Sequence, residues 1–158
     1  MSEQTIVSVF QQDHQEIDRA LEQYRNLKYK DSQAAKDSFN RFLTGLQRHI
    51  VCEEELLFPV WERKRGMMGG GPTQVMRLEH RQIADLLNAI HEKIQAHNPG
   101  TEQEERHLVE ILASHNMKEE RILYPAIDQI VSAEDRAGIF QAMKDLPEER
   151  YNACREEA

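Results

Sequence analysis

Six side chains in this sequence have the types and spacing to do chemistry together: His14, His49, Glu53, His80, His115 and Glu119. They form two sets of three at one offset, since His14 and His80, His49 and His115, and Glu53 and Glu119 each lie 66 residues apart. Imidazole and carboxylate donors suit iron or manganese, and four of the first with two of the second would serve two closely spaced ions bridged by the carboxylates. One His-x-x-x-Glu pair alone is explained as well by a helix-stabilising contact or a satisfied core histidine. Two copies shift the balance, because burying all six groups without mutual partners would cost several kcal/mol.

Such convergence requires helices. Residues four apart on an α-helix differ by about 40° in direction and about 6 Å in height, so His49 and Glu53 can approach one ion from one face, as can His115 and Glu119. Glu54 and Glu120 point about 140° away from those histidines and are read as solvated groups or as supports of the ligands. His14 and His80 hold matching places in the first helix of each half.

The repeat extends around these residues. HIVCEEELLFP at 49–59 is answered by HNMKEERILYP at 115–125, with Phe58 opposite Tyr124, and DHQEIDRAL from Asp13 by EHRQIADLL from Glu79. A chain of 158 residues fits one domain, with repeats at about 6–66 and 72–132 and a helical appendage at 133–158. Ile6, Val9, Phe10, Ile17 and Leu21 have helical spacing, as do Phe39, Phe42, Leu43, Leu46, Ile50 and Leu57. Gly66 to Gly71 reads as a flexible linker, Pro72 opens the next helix, and Asn98, Pro99 and Gly100 form a second break. Thr101 with Glu104 predicts a capping box, and Ser132 predicts the cap of a short helix ending before Pro147. Pro59 and Pro125 are expected to kink or end their helices. Strand signals are absent, so the fold class is all-α: an antiparallel four-helix bundle with a short C-terminal helix.

Twenty basic and twenty-eight acidic residues give a net charge of -8, which opposes binding to phosphate backbones. The one basic run, Arg63, Lys64 and Arg65, reads as a complement to a helix dipole. No apolar stretch approaches the roughly 20 residues of a membrane span, and the N-terminus lacks a signal pattern. The expectation is a cytoplasmic protein with neither nucleic acid nor membrane as partner. Two cysteines exclude a cysteine-based zinc site; Cys52 reads as a small core residue, and Cys154 as a reactive thiol or a residue without a role. His91 lies about 16 Å along the helix from His80, too far for the same ion. His97 sits at a helix end and His107 has no counterpart, so all three read as surface or packing residues. HEKIQ at His91 lacks the second histidine of a zinc protease, the Glu104–His107 spacing occurs once where ferritin-like sites need it twice, and GMMGGGP lacks the Gly-Lys-Ser/Thr of a phosphate loop.

The paired stretches at 13–14, 49–59, 79–80 and 115–125 resemble the hemerythrin-like, or HHE cation-binding, family, from the first helix to Pro125. The resemblance implies an up-and-down bundle around two non-heme iron ions with an oxo or hydroxo bridge, manganese or zinc being other occupants. His14, His49, His80 and His115 would be terminal ligands and Glu53 and Glu119 bridging ones, with no catalytic residue beyond them. Oxygen carriers of the family have a fifth histidine one turn after the third, where this chain has Ala84. By that resemblance each iron would be five-coordinate with an open position for small molecules, which fits reversible oxygen carriage less well. The four-His, two-Glu set is similar to that of di-iron proteins for iron-centre repair, linked to nitric oxide and oxidative stress, and of small bacterial proteins acting on peroxide. The repair proteins usually carry a cysteine-containing region ahead of the bundle, which weighs against that assignment here. Two classes stay open: an oxidoreductase acting on nitric oxide or hydrogen peroxide, and a non-enzymatic protein that binds, senses or stores oxygen or iron. The protein would be a monomer or a homodimer. Histidine ligands must be neutral, so metal loss is expected as pH falls through about 6.5.

Overall fold

The computed structural model describes residues 4–66 and 70–151, so Cys154 and the centre of the glycine-rich linker lie outside the described residues. Helix α1 spans Ile6–Leu27 and starts at a reciprocal cap, in which Thr5 Oγ1 accepts from Ser8 N and Ser8 Oγ from Thr5 N. Its next two backbone donors, Ile6 N and Val7 N, are accepted by the Asp128 carboxylate from the far half of the chain, at 2.9 and 3.1 Å. Helix α2, Ser32–Val51, is capped by Asp31. It runs through a π-helical turn, Cys52–Leu57, into α3, Phe58–Arg65, which Gly66 closes at φ 67°. The second half repeats the plan. Helix α4 is Pro72–Gln95, with the proline at its start, and α5, Glu102–Lys118, passes through a π turn, Glu119–Leu123, into α6, Tyr124–Ile130. Ser132 and Asp135 form a capping box for α7, Ala133–Asp145, which ends before Pro147 as expected. A short 3₁₀ turn, Glu148–Arg150, follows. The result is an all-α bundle in which α1 packs on α2 and α4 on α5. Among the described residues, no helix is long and apolar enough to cross a membrane.

Of the two outcomes expected at the prolines, a kink or an end, the second does not occur. Neither Pro59 nor Pro125 ends its helix; each is the second residue after a π turn. The wider turn makes Phe58 N–H donate five residues back to Glu53 O, and Tyr124 N–H to Glu119 O, so the helix absorbs one extra residue where the proline lacks a donor. The Glu54 carbonyl accepts instead from Arg77 Nη1 at 3.3 Å. The Thr101–Glu104 box is not formed either. Thr101 stands at the N-cap, but its hydroxyl donates to Glu105 at 2.5 Å and meets Tyr24 Oη at 2.7 Å. Glu105 is buried beside Lys28 and takes that donor, since a buried carboxylate left short of partners costs more than an unmade cap.

The buried stripe of α1 reads Ile6, Phe10, His14, Ile17, Leu21 and Tyr24, and that of α4 Met76, His80, Ile83, Leu87 and Ile90. Each histidine thus occupies a place in the core seam. The apolar core divides accordingly into two clusters, one around Phe10, Phe58, Trp61 and Ile127 and the other around Phe39, Phe42, Ile83 and Leu108.

Candidate metal centre

The six residues singled out from the sequence meet inside the bundle, all buried, with no exposed surface on Glu53 or Glu119. His14 comes from α1 and His80 from α4, His49 and His115 from the last turns of α2 and α5, and the two glutamates from the π turns. The Nε2 atoms point inward: those of His14 and His49 are 3.1 Å apart. Glu53 Oε1 lies 3.4 Å from His49 Nε2 and 3.1 Å from His80 Nε2. Glu119 Oε1 lies 3.2 Å from both His115 Nε2 and His14 Nε2. Each carboxylate therefore touches one histidine of its own half and one of the other. Glu53, His80, His115 and Glu119 can present donor atoms within 4.8 Å of one another, as can His14, His49 and Glu119.

The outer face of every imidazole is held by a further carboxylate. His49 Nδ1 is 3.4 Å from Asp13 and His115 Nδ1 is 2.8 Å from Glu79, each an acid from the same half. His80 Nδ1 is 2.6 Å from Glu54 and His14 Nδ1 is 2.8 Å from Glu120, each from the opposite half. An ionised carboxylate only accepts, so Nδ1–H donates, and a ring that has given up its Nε2 proton turns that lone pair inward. Consecutive glutamates thereby reach both nitrogens of one ring: Glu53 and Glu54 on His80, Glu119 and Glu120 on His14. The sequence signal for these supports was present in the acid that precedes His14 and His80 and in the doubled glutamates.

Four inward lone pairs and two carboxylates make a nest of acceptors. Burial disfavours an imidazolium, but Glu119, Glu120 and Glu53 more than offset it and raise His14 to about 9. Glu53, Glu54 and Glu119 likewise raise His80 to about 10 against the same burial, and His115 is raised by Glu119 and Glu53. Burial, then the charge of Glu119, pushes the Glu53 carboxyl up. Both Glu119 oxygens are buried without a hydrogen-bond partner. Such a field favours cations, and these donors fit a metal pair, since paired ions would satisfy the orphaned oxygens and the facing lone pairs at once.

One contributor was not singled out from the sequence. The buried Tyr124 hydroxyl donates to Glu53 Oε2 at 2.7 Å and lies 3.3 Å from Nε2 of both His14 and His49. Burial and the charges of Glu53 and Glu119 hold this phenol well above its usual pKa. The exchange of Phe58 for Tyr124 between the repeats was its only trace. Phe58 stacks on His80 with centroids 6.3 Å apart, and the Arg77 guanidinium lies over the Phe58 ring, 5.4 Å from its centroid, while pairing with Glu62. Ala84 lines a cavity of about 340 Å³ that borders the outer face of His80 and Glu54.

The other histidines stand apart. His91 is near-parallel to Phe39 at 6.4 Å, and His97 and His107 are exposed. Cys52 is a buried core residue whose thiol burial pushes up to about 11.

The chain is similar to a DNA nickase of Nostoc sp., 28% identical over 148 residues, which are 92% of this chain and 40% of that protein. It is similar to the iron-sulfur cluster repair protein YtfE of Edwardsiella ictaluri, 42% identical over 45 residues, or 28% of this chain and 20% of that one. The YtfE of Salmonella schwarzengrund is 33% identical over 54 residues, 32% of this chain and 24% of that one. The chain thus spans 40% or less of the length of these relatives. No solved structure matches it. Residues 5–127 match the hemerythrin HHE cation binding domain, a span that holds all six inward donors and their four supporting acids, and the chain belongs to that family.

Proposed function

We propose that His14, His49, Glu53, His80, His115 and Glu119 hold a pair of non-heme iron ions and that the loaded centre turns over nitric oxide or hydrogen peroxide in the protection or repair of iron centres. The observation that carries this is the sharing of each carboxylate between histidines of both halves, which is the arrangement two adjacent ions need. When bound, a ferrous pair would supply two electrons, which with two protons reduce one hydrogen peroxide to two waters or convert two nitric oxide molecules to nitrous oxide and water, an external electron donor restoring the ferrous pair for the next turnover. The chain's own residues set the conditions. Asp13, Glu54, Glu79 and Glu120 fix the tautomer and orientation of the four rings. Glu53 and Glu119 supply the shared negative charge, and the Phe10 and Phe58 side keeps the interior dry. The likeness to YtfE supports iron-centre repair as the setting. The nickase likeness is not extended to DNA, because a net charge of -8 repels a phosphate backbone.

Metal analysis and an absorption spectrum of the purified protein test the first step: two irons per chain with ferric charge-transfer bands are expected. Stopped-flow mixing of the reduced protein with peroxide or nitric oxide tests the second. Catalytic loss of peroxide or release of nitrous oxide supports turnover, whereas a stable, reversible oxygen adduct without turnover assigns a carrier or sensor instead.

A further inference from the structure

The groups that touch the centre repeat at the 66-residue offset, His14 with His80, His49 with His115, Glu53 with Glu119 and Glu54 with Glu120. Asp13 and Glu79 differ in length but both place a carboxylate on the Nδ1 of a histidine. Phe58 and Tyr124 break the symmetry in kind. The Tyr124 ring lies 5.8 Å from that of His14 and projects an oxygen into the interior, 3.3 Å from each of the two Nε2 atoms of His14 and His49. Phe58, against His80, has no atom that could do the same. The carboxylates differ accordingly: Glu53 receives the phenol at 2.7 Å, and neither oxygen of Glu119 has a hydrogen-bond partner.

We propose that the Tyr124 hydroxyl makes the two metal positions inequivalent, the ion at His14 and His49 being held more tightly than the ion at His80 and His115. This rests on the reading that the six side chains hold a metal pair. The phenol oxygen adds a protein oxygen to the first position alone, 3.3 Å from Nε2 of both His14 and His49, whereas Glu53 and Glu119 are each shared between the two halves and do not by themselves distinguish the positions. One added oxygen contact of this kind is expected to favour the first position by about tenfold in affinity.

Crystals of metal-free protein given manganese(II) below one equivalent, with occupancies refined from anomalous scattering, provide the test. In the wild type the His14/His49 position is expected to fill first. Tyr124→Phe should level the two occupancies, and Phe58→Tyr combined with Tyr124→Phe should reverse them. Equal occupancy in the wild type, a preference for His80/His115, or a preference that Tyr124→Phe leaves unchanged would overturn the proposal. Absence of manganese from both positions at saturation would instead defeat the metal-pair reading on which it rests.

Discussion

Each of the four histidines sits between two carboxylates, one on its outer nitrogen and one facing its inner nitrogen, so the centre demands positive charge whether or not metal supplies it. In metal-free protein, protons take that place: His14 is held at about 9 and His80 at about 10 against an ordinary value of 6.5. A pKa raised on folding gives stability that is complete below the unfolded value and is lost as pH climbs through the folded one. Metal-free protein should therefore melt at steadily lower temperature between pH 6.5 and about 10. Metal-loaded protein has the opposite sign, because the unfolded chain takes up protons that the loaded fold excludes. It should lose stability as pH falls below about 6.5 and stay level above it. Thermal melts of both forms across this range check the pair of trends, and curves that ran parallel would refute the cation argument. The supporting acids give a second prediction. Glu120→Gln and Glu54→Gln remove charge from the outer nitrogens of His14 and His80 while leaving the helices intact. Each should weaken metal binding by about 10-fold to 100-fold, measured by competition with a chelator.

At the scale of elements, the π turns explain both what the sequence revealed and what it hid. The apolar stripes of α1, α2, α4 and α5 and the 66-residue offset of the histidines were legible, because helical periodicity and repetition survive in a single sequence. The extra residue in Cys52–Leu57 and Glu119–Leu123 was not, since a change from four-residue to five-residue hydrogen bonding leaves the local composition unaltered. Read as plain α-helix, Glu54 and Glu120 stood either in solvent or behind the ligands, and the second alternative is the one the structure has. Their partners proved to be histidines of the opposite half, which no spacing within one helix could reveal. Thr101 shows the same limit: its capping motif was readable, but the buried Glu105 that claims its hydroxyl depends on tertiary packing. Deleting the exposed Glu55 tests the role of the turn. The segment should close into continuous α-helix, keeping helical content by circular dichroism and the downstream faces of Leu57, Phe58 and Trp61. Metal affinity should fall at least about tenfold (about 1.4 kcal/mol), and retention of full affinity would remove the turn from the design.

Across the whole molecule, the centre is a polar waist between two apolar clusters. One end is built by Phe10, Phe58, Trp61, Tyr124 and Ile127 and closed by Ile139 and Met143 of α7, while Arg48 bonds the Met143 carbonyl at 2.9 Å. The other is built by Phe39, Phe42, Ile83 and Leu108 and closed by Tyr24, Thr101, Glu105 and Lys28. Neither cluster reaches across the six inward donors, so the waist is where α1, α2, α4 and α5 have least apolar contact and most like charge. A bound cation pair would join all four helices at that level and reverse its electrostatic sign. Free metal at 100 times its dissociation constant adds about 2.7 kcal/mol to the folded state for one site. For a domain of this size that corresponds to a rise in melting temperature of about 5–10 °C. Calorimetry before and after chelation measures the shift, and amide exchange locates it. Protection lost on chelation should concentrate near His14, His49, His80 and His115 and not at the helix ends. If exchange instead rose evenly along both clusters, the metal would be stabilising the fold as a whole and not clamping its waist.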